Sequence, residues 1–397
     1  ITSPLLHTME TLDNFSWLNK DFLENILREE PRTRVLSFSV QEVSSLGNSY
    51  CSSLLRVKVE LNENGSVVRK SLIVKAPLPD GPAYMALKEM KIMAKESLVY
   101  NKVIPLMNKI NDDFAPKSYV CELADTIILE DLMDQGYRTL DRFDQLDFEH
   151  CNAFMKVIGR FHAMSVCVEK REPTLIAEAG NELIHVDTPE GKSYFYKSIE
   201  WFASEIRTWG GFERHADILE NNVDTLYARK VRLYDSKKHV SVLNHGDAWT
   251  NNVLFKHDGS GNVVDSKLID FQTCTLASPA VDLIYFIVSS VREDVKLKRL
   301  PELYATYLEN FNSTLESAGC EERLTPEQLE DEMKFADIRH VSMIPIHLTL
   351  IFNERPDDIG LDKAVMAFEV GTNTQDNPII QLFKGEKFKE VVKFTLR

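Results

Sequence analysis

Residues 240 to 272 constrain this chain more than any other stretch. Val240, Val242 and Leu243 make one short apolar run, and Val253, Leu254 and Phe255 make another. Between them lie His245, Gly246, Asp247 and Asn252. Asp258-Gly259 and Gly261-Asn262 follow, and Val263, Val264, Leu268 and Ile269 then lead to Asp270. Apolar runs bounded by Gly, Asp and Asn read as strands joined by turns. The pattern predicts a strand, a polar loop, a hairpin, and a carboxylate at the end of the returning strand. A hairpin of this kind sets Asn252 and Asp270 at the same end of two paired strands. That is close enough for both to reach one ion.

Two carboxylates and a carboxamide gathered in this way suit phosphoryl transfer. The reaction needs a carboxylate beside the attacking hydroxyl and oxygen ligands for a divalent ion. Magnesium keeps waters and phosphate oxygens and takes few protein ligands. The H-x-D-x-x-x-x-N spacing, followed by a second Asp, is that of the protein-kinase catalytic loop and metal-binding segment. Asp247 is therefore the candidate catalytic base, and Asn252 and Asp270 are the candidate Mg2+ ligands. The plainer alternative is that Asp247 caps a turn and Asn252 bonds its own backbone, as Asp and Asn in loops commonly do.

The same chemistry asks for a lysine on a strand and a glutamate on the next helix to hold it. Lys75 ends the apolar run SLIVK, and Glu96 lies in the helical pattern at residues 83 to 104. A lysine on an apolar strand costs desolvation unless it is paired. Glu96 is the obvious partner, with snorkelling to solvent as the alternative. A turn that covers phosphates belongs before the first long strand, where Gly47, Asn48 and Ser49 stand. Backbone N–H groups and the Ser49 hydroxyl can cradle phosphate oxygens there, although the turn holds one glycine and not three. No G-x-x-x-x-G-K-[ST] run exists, which excludes a P-loop. The segment IILEDL, residues 127 to 132, offers an extended backbone to adenine. Glu130 and Leu132 are its candidate main-chain contacts. Their side chains fit equally well as solvated linker positions.

The remainder of the chain reads as α+β. Leu54, Leu55, Val57 and Val59 precede Asn64-Gly65, a strong hairpin signal, and Val67 and Val68 lead into the Lys75 strand. Residues 118 to 132 read as a second hairpin, and residues 9 to 30 and 144 to 169 as helices. The expected plan is bilobed and protein-kinase-like. A sheet-rich nucleotide-binding lobe with a leading helix spans 1–133, and a larger helical lobe that carries catalysis and the acceptor spans 134–397. Only a few residues separate Asp270 from the helix that begins near Pro279, so no activation loop fits. Gly246 also stands where protein kinases carry an arginine that reads such a loop. Both features point to a small-molecule substrate.

A net charge of −15 argues against general binding to nucleic acid or to anionic membrane. No run has the length needed to span a bilayer. The six cysteines show no metal-binding or disulfide-framework spacing, so free thiols and a cytoplasmic setting are expected. No obligate protein partner is expected.

HGDAWTNNVLF and LIDFQ resemble the motif shared by aminoglycoside phosphotransferases and choline kinases. More closely, the chain resembles the ecdysteroid kinase-like family of arthropods, which shows H-G-D-x-W-x-x-N-x-L-F. The likeness extends through SLIVKAP, KESLVYNKVIP, IILEDL, GRFHAMS and PAVDLIYF. The family's glycine turn usually reads G-x-N-Y-x-S, and Ser49 here replaces its Asn. The resemblance implies an ATP- and Mg2+-dependent kinase that phosphorylates hydroxyls of ecdysteroids or related polycyclic alcohols. It implies Asp247 as base, Asn252 and Asp270 as metal ligands, and Lys75 with Glu96 as nucleotide clamp. Asp282 is expected to brace the catalytic loop, and His162 to be a satisfied core histidine. Trp249 either walls the acceptor pocket or packs beneath the loop. Tyr194, Phe195, Trp201, Phe202, Trp209 and residues 343 to 352 are candidates for the acceptor cleft. Two alternatives stand beside this reading. One is a kinase acting on choline, an aminoglycoside-like compound or a dietary xenobiotic. The other is a nucleotide-binding module without catalysis.

Overall fold

A computed structural model describes residues 15–28, 33–43, 52–77, 88, 91–110, 114–181, 187–235, 237–356, 359, 363, 367 and 376–397. The predicted phosphate turn with Ser49 lies outside the described residues, as do residues 9–14 and 29–30 of the leading helical pattern and residues 83–87, 89 and 90 of the next one.

Helix α1 (Lys20–Leu27) starts at Asn19, whose side chain accepts the Phe22 N–H, an N-cap of the expected kind. It buries Leu23 and Leu27 against one face of an antiparallel sheet. That sheet holds β1 (Arg34–Glu42), β2 (Ser53–Glu63), β3 (Ser66–Ala76), β4 (Ser118–Tyr119) and β5 (Ile127–Glu130), in the order β1-β2-β3-β5-β4. In β2 every second residue from Leu55 to Leu61 is buried, the period a half-buried strand requires. Asn64 and Gly65 turn β2 into β3 with φ of 53° and 91°, the left-handed pair that suits a tight hairpin. β1 was not read from the sequence. A bulge between Val35 and Ser37 breaks its register, so its apolar residues do not alternate cleanly.

The register of β3 against β5 sets Lys75 opposite Ile127. Helix α2 (Ile92–Leu98) runs on through a π-turn at Val99–Val103 into Ile104–Met107 and buries Met93, Glu96, Tyr100 and Val103.

Helices dominate after β5. Helix α3 (Phe148–Glu169) is capped by Asp147 and buries most of its length. The short strand β6 (Tyr137–Arg138) pairs with β8 (Val253–His257), which pairs in turn with β9 (Val263–Leu268). Strand β7 (Val242–Asn244) pairs with β10 (Thr275–Ala277). Helix α4 (Pro189–Ile206), the wholly buried α5 (Ala280–Ser290), α6 (Leu300–Ser317) and α7 (Ile338–Met343) complete the parts that matter for the site. The architecture is α+β, sheet-rich first and helical second.

One core joins the two parts. Tyr100 and Phe114 from the first meet Phe154, Phe161 and Phe271 of the second. The Phe271 ring is wholly buried and lies 5.4 Å from Tyr100, 6.3 Å from Phe114, 5.4 Å from Phe161 and 4.9 Å from His245. A second core packs Phe195, Trp201, Phe202 and Trp209 with α5 and α7.

Cys167 and Cys320 are joined as a disulfide, with Cα atoms 6.4 Å apart, whereas all six thiols were expected free. Sequence spacing gives no hint of a pairing across 153 residues, because only the packing of α3 on α6 brings the two together. Cys121, Cys151 and Cys274 are free thiols. Among the described residues no helix is long and apolar enough to cross a membrane.

Candidate active site

The polar loop after β7 is held by its backbone. Gly246 has φ +83°, and a Cβ there would meet the Thr273 carbonyl oxygen at 2.0 Å. Only glycine fits that turn. The Asp282 carboxylate, on the first turn of α5, accepts the His245 N–H at 2.6 Å and the Gly246 N–H at 2.9 Å. Its Oδ2 also meets His162 Nε2 at 3.1 Å, and His162 Nδ1 meets the Tyr307 hydroxyl at 3.0 Å. Burial alone would raise the Asp282 carboxyl, but His162 and the loop N–H groups outweigh it and hold it below the usual carboxylate value. His162 is thus both a satisfied core histidine and a support for the brace. His245 ties the loop to the far strand through Nε2, 2.8 Å from the Ile269 carbonyl.

Asp247 emerges from this frame surrounded by neutral donors. Tyr285 donates its hydroxyl to Oδ1 at 2.6 Å. Trp249 Nε1 and Asn252 Nδ2 donate to Oδ2 at 3.2 and 2.9 Å. Burial pushes the Asp247 carboxyl up, and the Tyr285 bond opposes that push. Trp249 therefore does more than pack: it is nearly buried beside the second core and orients the carboxylate. Tyr285 was missed in the sequence. Its signal was its position three residues after Asp282, which sets both on the face of α5 turned to the loop.

Asp270 sits at the end of the returning strand, as the hairpin pattern predicts. Val253 pairs with Leu268, and the Ile269 N–H donates to the Asn252 carbonyl at 3.0 Å. Asp270 takes φ 69°, a left-handed conformation that Asp tolerates better than most residues. Its N–H donates to the Tyr100 hydroxyl at 3.2 Å, and its Oδ1 lies 2.5 Å from Lys75 Nζ. Lys75 Nζ is also 2.7 Å from Glu96 Oε2. Burial would lower the lysine's pKa, but Asp270 and Glu96 outweigh it and raise it. Burial pushes Glu96 up, to about 7, against the pull of Lys75.

The structure thus brings Lys75, Glu96 and Asp270 together, and Asp247 with Asn252 beside them. Glu130 and Leu132 stand apart from this group. The Glu130 N–H donates to the Lys117 carbonyl, and the Leu132 carbonyl accepts from Gln135 and Tyr137, so those two main-chain groups serve the fold. Phe195, Trp201, Phe202 and Trp209 are buried against one another as core.

These residues suit a divalent ion carried by a nucleotide. One buried lysine faces two carboxylates, which leaves surplus negative charge in the corner. Asn252 spends its amide nitrogen on Asp247, which leaves Oδ1 as the side chain's other polar atom. Among the described residues no cluster of three His, Cys, Asp or Glu offers a complete metal cage. An ion that keeps waters and phosphate oxygens needs none.

The sequence signature of the ecdysteroid kinase-like family matches residues 46–320. Comparison with curated proteins gives no match. Among solved structures, the chain is similar to an ethanolamine kinase of Plasmodium vivax at 15% identity, with 90% of this chain and 82% of that chain covered and a TM-score of 0.44. It is similar to the GDP complex of wild-type aminoglycoside 2'-phosphotransferase-IIIa at 11% identity, with 94% and 97% covered and a TM-score of 0.45. A choline/ethanolamine kinase family protein from Mesorhizobium loti gives 10% identity, 90% and 92% coverage and a TM-score of 0.38. These are distant likenesses.

Proposed function

The chain belongs to the ecdysteroid kinase-like family and is a small-molecule phosphotransferase, and from that premise we propose that it moves the γ-phosphate of ATP to a hydroxyl of an ecdysteroid or related polycyclic alcohol. The observation that supports this reading is the meeting of Lys75, Glu96 and Asp270 within direct contact, with Asp247 and Asn252 at the same end of the hairpin that carries Asp270.

In this reading Asp247 accepts the proton of the acceptor hydroxyl. Tyr285 and Trp249 fix its carboxylate so that it is aimed before the acceptor arrives, the kind of preorganisation that saves entropy in the reaction. Burial supports the role by raising its affinity for a proton. Lys75, oriented by Glu96, meets the phosphate oxygens of the nucleotide. Asn252 Oδ1 and the Asp270 carboxylate would hold Mg2+, which supplies neutralisation of charge on the transferred group. Ser49, Glu130 and Leu132 belong to the nucleotide side of the same proposal, Glu130 and Leu132 through whichever main-chain groups the fold leaves open. The proposed division of labour runs from 1–133 for nucleotide to 134–397 for catalysis and acceptor.

An acceptor screen tests it. ADP release is measured with ecdysteroids, sterol glycosides, choline and plant phenols side by side. The expected result is turnover on ecdysteroids above the other classes, lost in Asp247→Asn and in Asp270→Ala. Preference for choline would overturn the acceptor. Full activity in both variants would overturn the site.

A further inference from the structure

Helix α7 and the π-turn Ile344–Leu348 that follows it pack beside α5, and they bring two polar side chains against Tyr285. The Arg339 guanidinium lies 5.0 Å from the centre of the Tyr285 ring. The His347 ring stands edge-on to the same ring, 5.3 Å away at 80°. Tyr285 in turn holds Asp247. Arg339 and His347 are therefore one aromatic ring away from the proposed base.

Neither side chain is satisfied. Arg339 is 6% exposed, and its Nε has no hydrogen-bond partner. Among the described residues no carboxylate pairs with it. His347 Nδ1 is out of solvent and also without a partner. Leaving a buried donor unmade is costly, and more so when the group is charged. An unpaired buried guanidinium is rarer still, because a buried charge normally has a partner. Stacking on Tyr285 recovers only part of that loss.

We infer that Arg339 and His347 form the recognition end of the acceptor site, and that they read a hydrogen-bond-accepting oxygen, a ketone or a carboxylate, carried by the acceptor alcohol in addition to its reacting hydroxyl. The inference rests on Asp247 as the base and narrows the acceptor class of the same site. The guanidinium offers a fork of donors that suits oxygen and repels cations. Burial together with the charges of Arg339 and Lys230 keeps His347 neutral, so it adds one donor and one acceptor. A cationic alcohol is best held by a free carboxylate or an open aromatic cage, and the buried carboxylates Asp282, Glu332 and Glu205 are committed. Asp282 serves the loop, Glu332 accepts from His239, Val240 and Ser278, and Glu205 accepts from Trp209. The pair thus selects against ammonium-bearing alcohols.

The test is binding of matched alcohols to the full chain, with Mg-ADP present, by calorimetry. Androsterone and androstanol share a ring system and a hydroxyl and differ by a ketone. Lithocholate brings a carboxylate, and choline an ammonium. Androsterone or lithocholate is expected to bind roughly tenfold or more tighter than androstanol, with choline weakest. Whichever of the two oxygen-bearing alcohols is favoured identifies ketone or carboxylate as the recognised group. Arg339→Gln is expected to bring that ratio near unity, Arg339→Lys to retain part of it, and His347→Phe to reduce it. A ratio unchanged in Arg339→Gln and His347→Phe, or a preference for choline, overturns the inference. Transfer itself is read separately as ADP release in the native chain against Asp247→Asn. Binding selectivity without transfer would sink the catalytic reading and leave the recognition site standing.

Discussion

Two carboxylates of the site, Asp247 and Asp270, end up close together and are held in opposite ways. Asp247 is held by a phenol, an indole and an amide, all neutral. Asp270 is held by an ammonium, which it shares with Glu96. The difference follows from what each is proposed to do. A proton acceptor loses basicity when a cation sits on it, whereas neutral donors aim it at smaller cost to its affinity for a proton. A group that holds a metal and triphosphate wants a concentrated, charged corner in which cation and anion counts are rebalanced on binding. The fold supplies the two environments from different sources. The neutral cradle comes from α5 and the loop, and the charged corner needs β3 and α2 of the sheet-rich part.

Exchanging each carboxylate for its amide probes this contrast most strongly. Asp247→Asn is expected to cut kcat by roughly 10²- to 10⁴-fold while thermal stabilisation by Mg-ATP persists. Asp270→Asn is expected to lose both transfer and that stabilisation. If Asp247→Asn alone lost the stabilisation, the two roles would have to be exchanged.

The charged corner gives the next largest effect. Lys75→Met leaves Glu96 and Asp270 facing each other without a counter-charge, and it is expected to cost about 3–5 kcal/mol of stability. Adding Glu96→Gln should recover much of this in denaturant melts. No recovery would mean that the pair is not the reason for the loss. The loop that carries the neutral cradle has its own weak point at Gly246. An added methyl there meets backbone at 2.0 Å and must take a positive φ, so Gly246→Ala is expected to cost about 3 kcal/mol or more.

The brace beneath that loop titrates. The folded Asp282 carboxyl lies below its usual value of 3.8, so its stabilisation is present above that value and is lost as pH falls through the depressed one. Native protein should therefore lose melting temperature more steeply below about pH 4 than Asp282→Asn does. Parallel curves would remove Asp282 from the account. Tyr285→Phe is the mildest change. Removing one hydrogen bond from Asp247 is worth about 1 kcal/mol, so transfer should fall by less than roughly tenfold.

The hairpin was legible because turn chemistry and strand periodicity are local. Asn64-Gly65, Asp258-Gly259 and the run ending at Asp270 announce themselves within a few residues. Lys75 and Glu96 were legible because a charge on an apolar strand demands a partner. The parts that were not legible depend on long-range packing. Tyr285 meets Asp247 across 38 residues. Arg339 reaches the same place from α7, and nothing local marks it apart from other surface-type arginines. The Cys167–Cys320 disulfide depends on how α3 lies against α6. β1 was hidden by its bulge. The aromatic residues near α4 looked equally suited to a ligand cage or to a core, and only burial separates those readings.

The Phe271 ring follows directly after Asp270 and touches Tyr100, Phe114, Phe161 and His245 at once. It therefore ties the position of Asp270 to the seam between the sheet-rich and helical parts. A shift of the sheet against the helices would disturb this ring, and with it the neighbouring aspartate. If Asp270 holds the ion as proposed, loosening this seam to release a spent nucleotide and displacing the carboxylate are linked events.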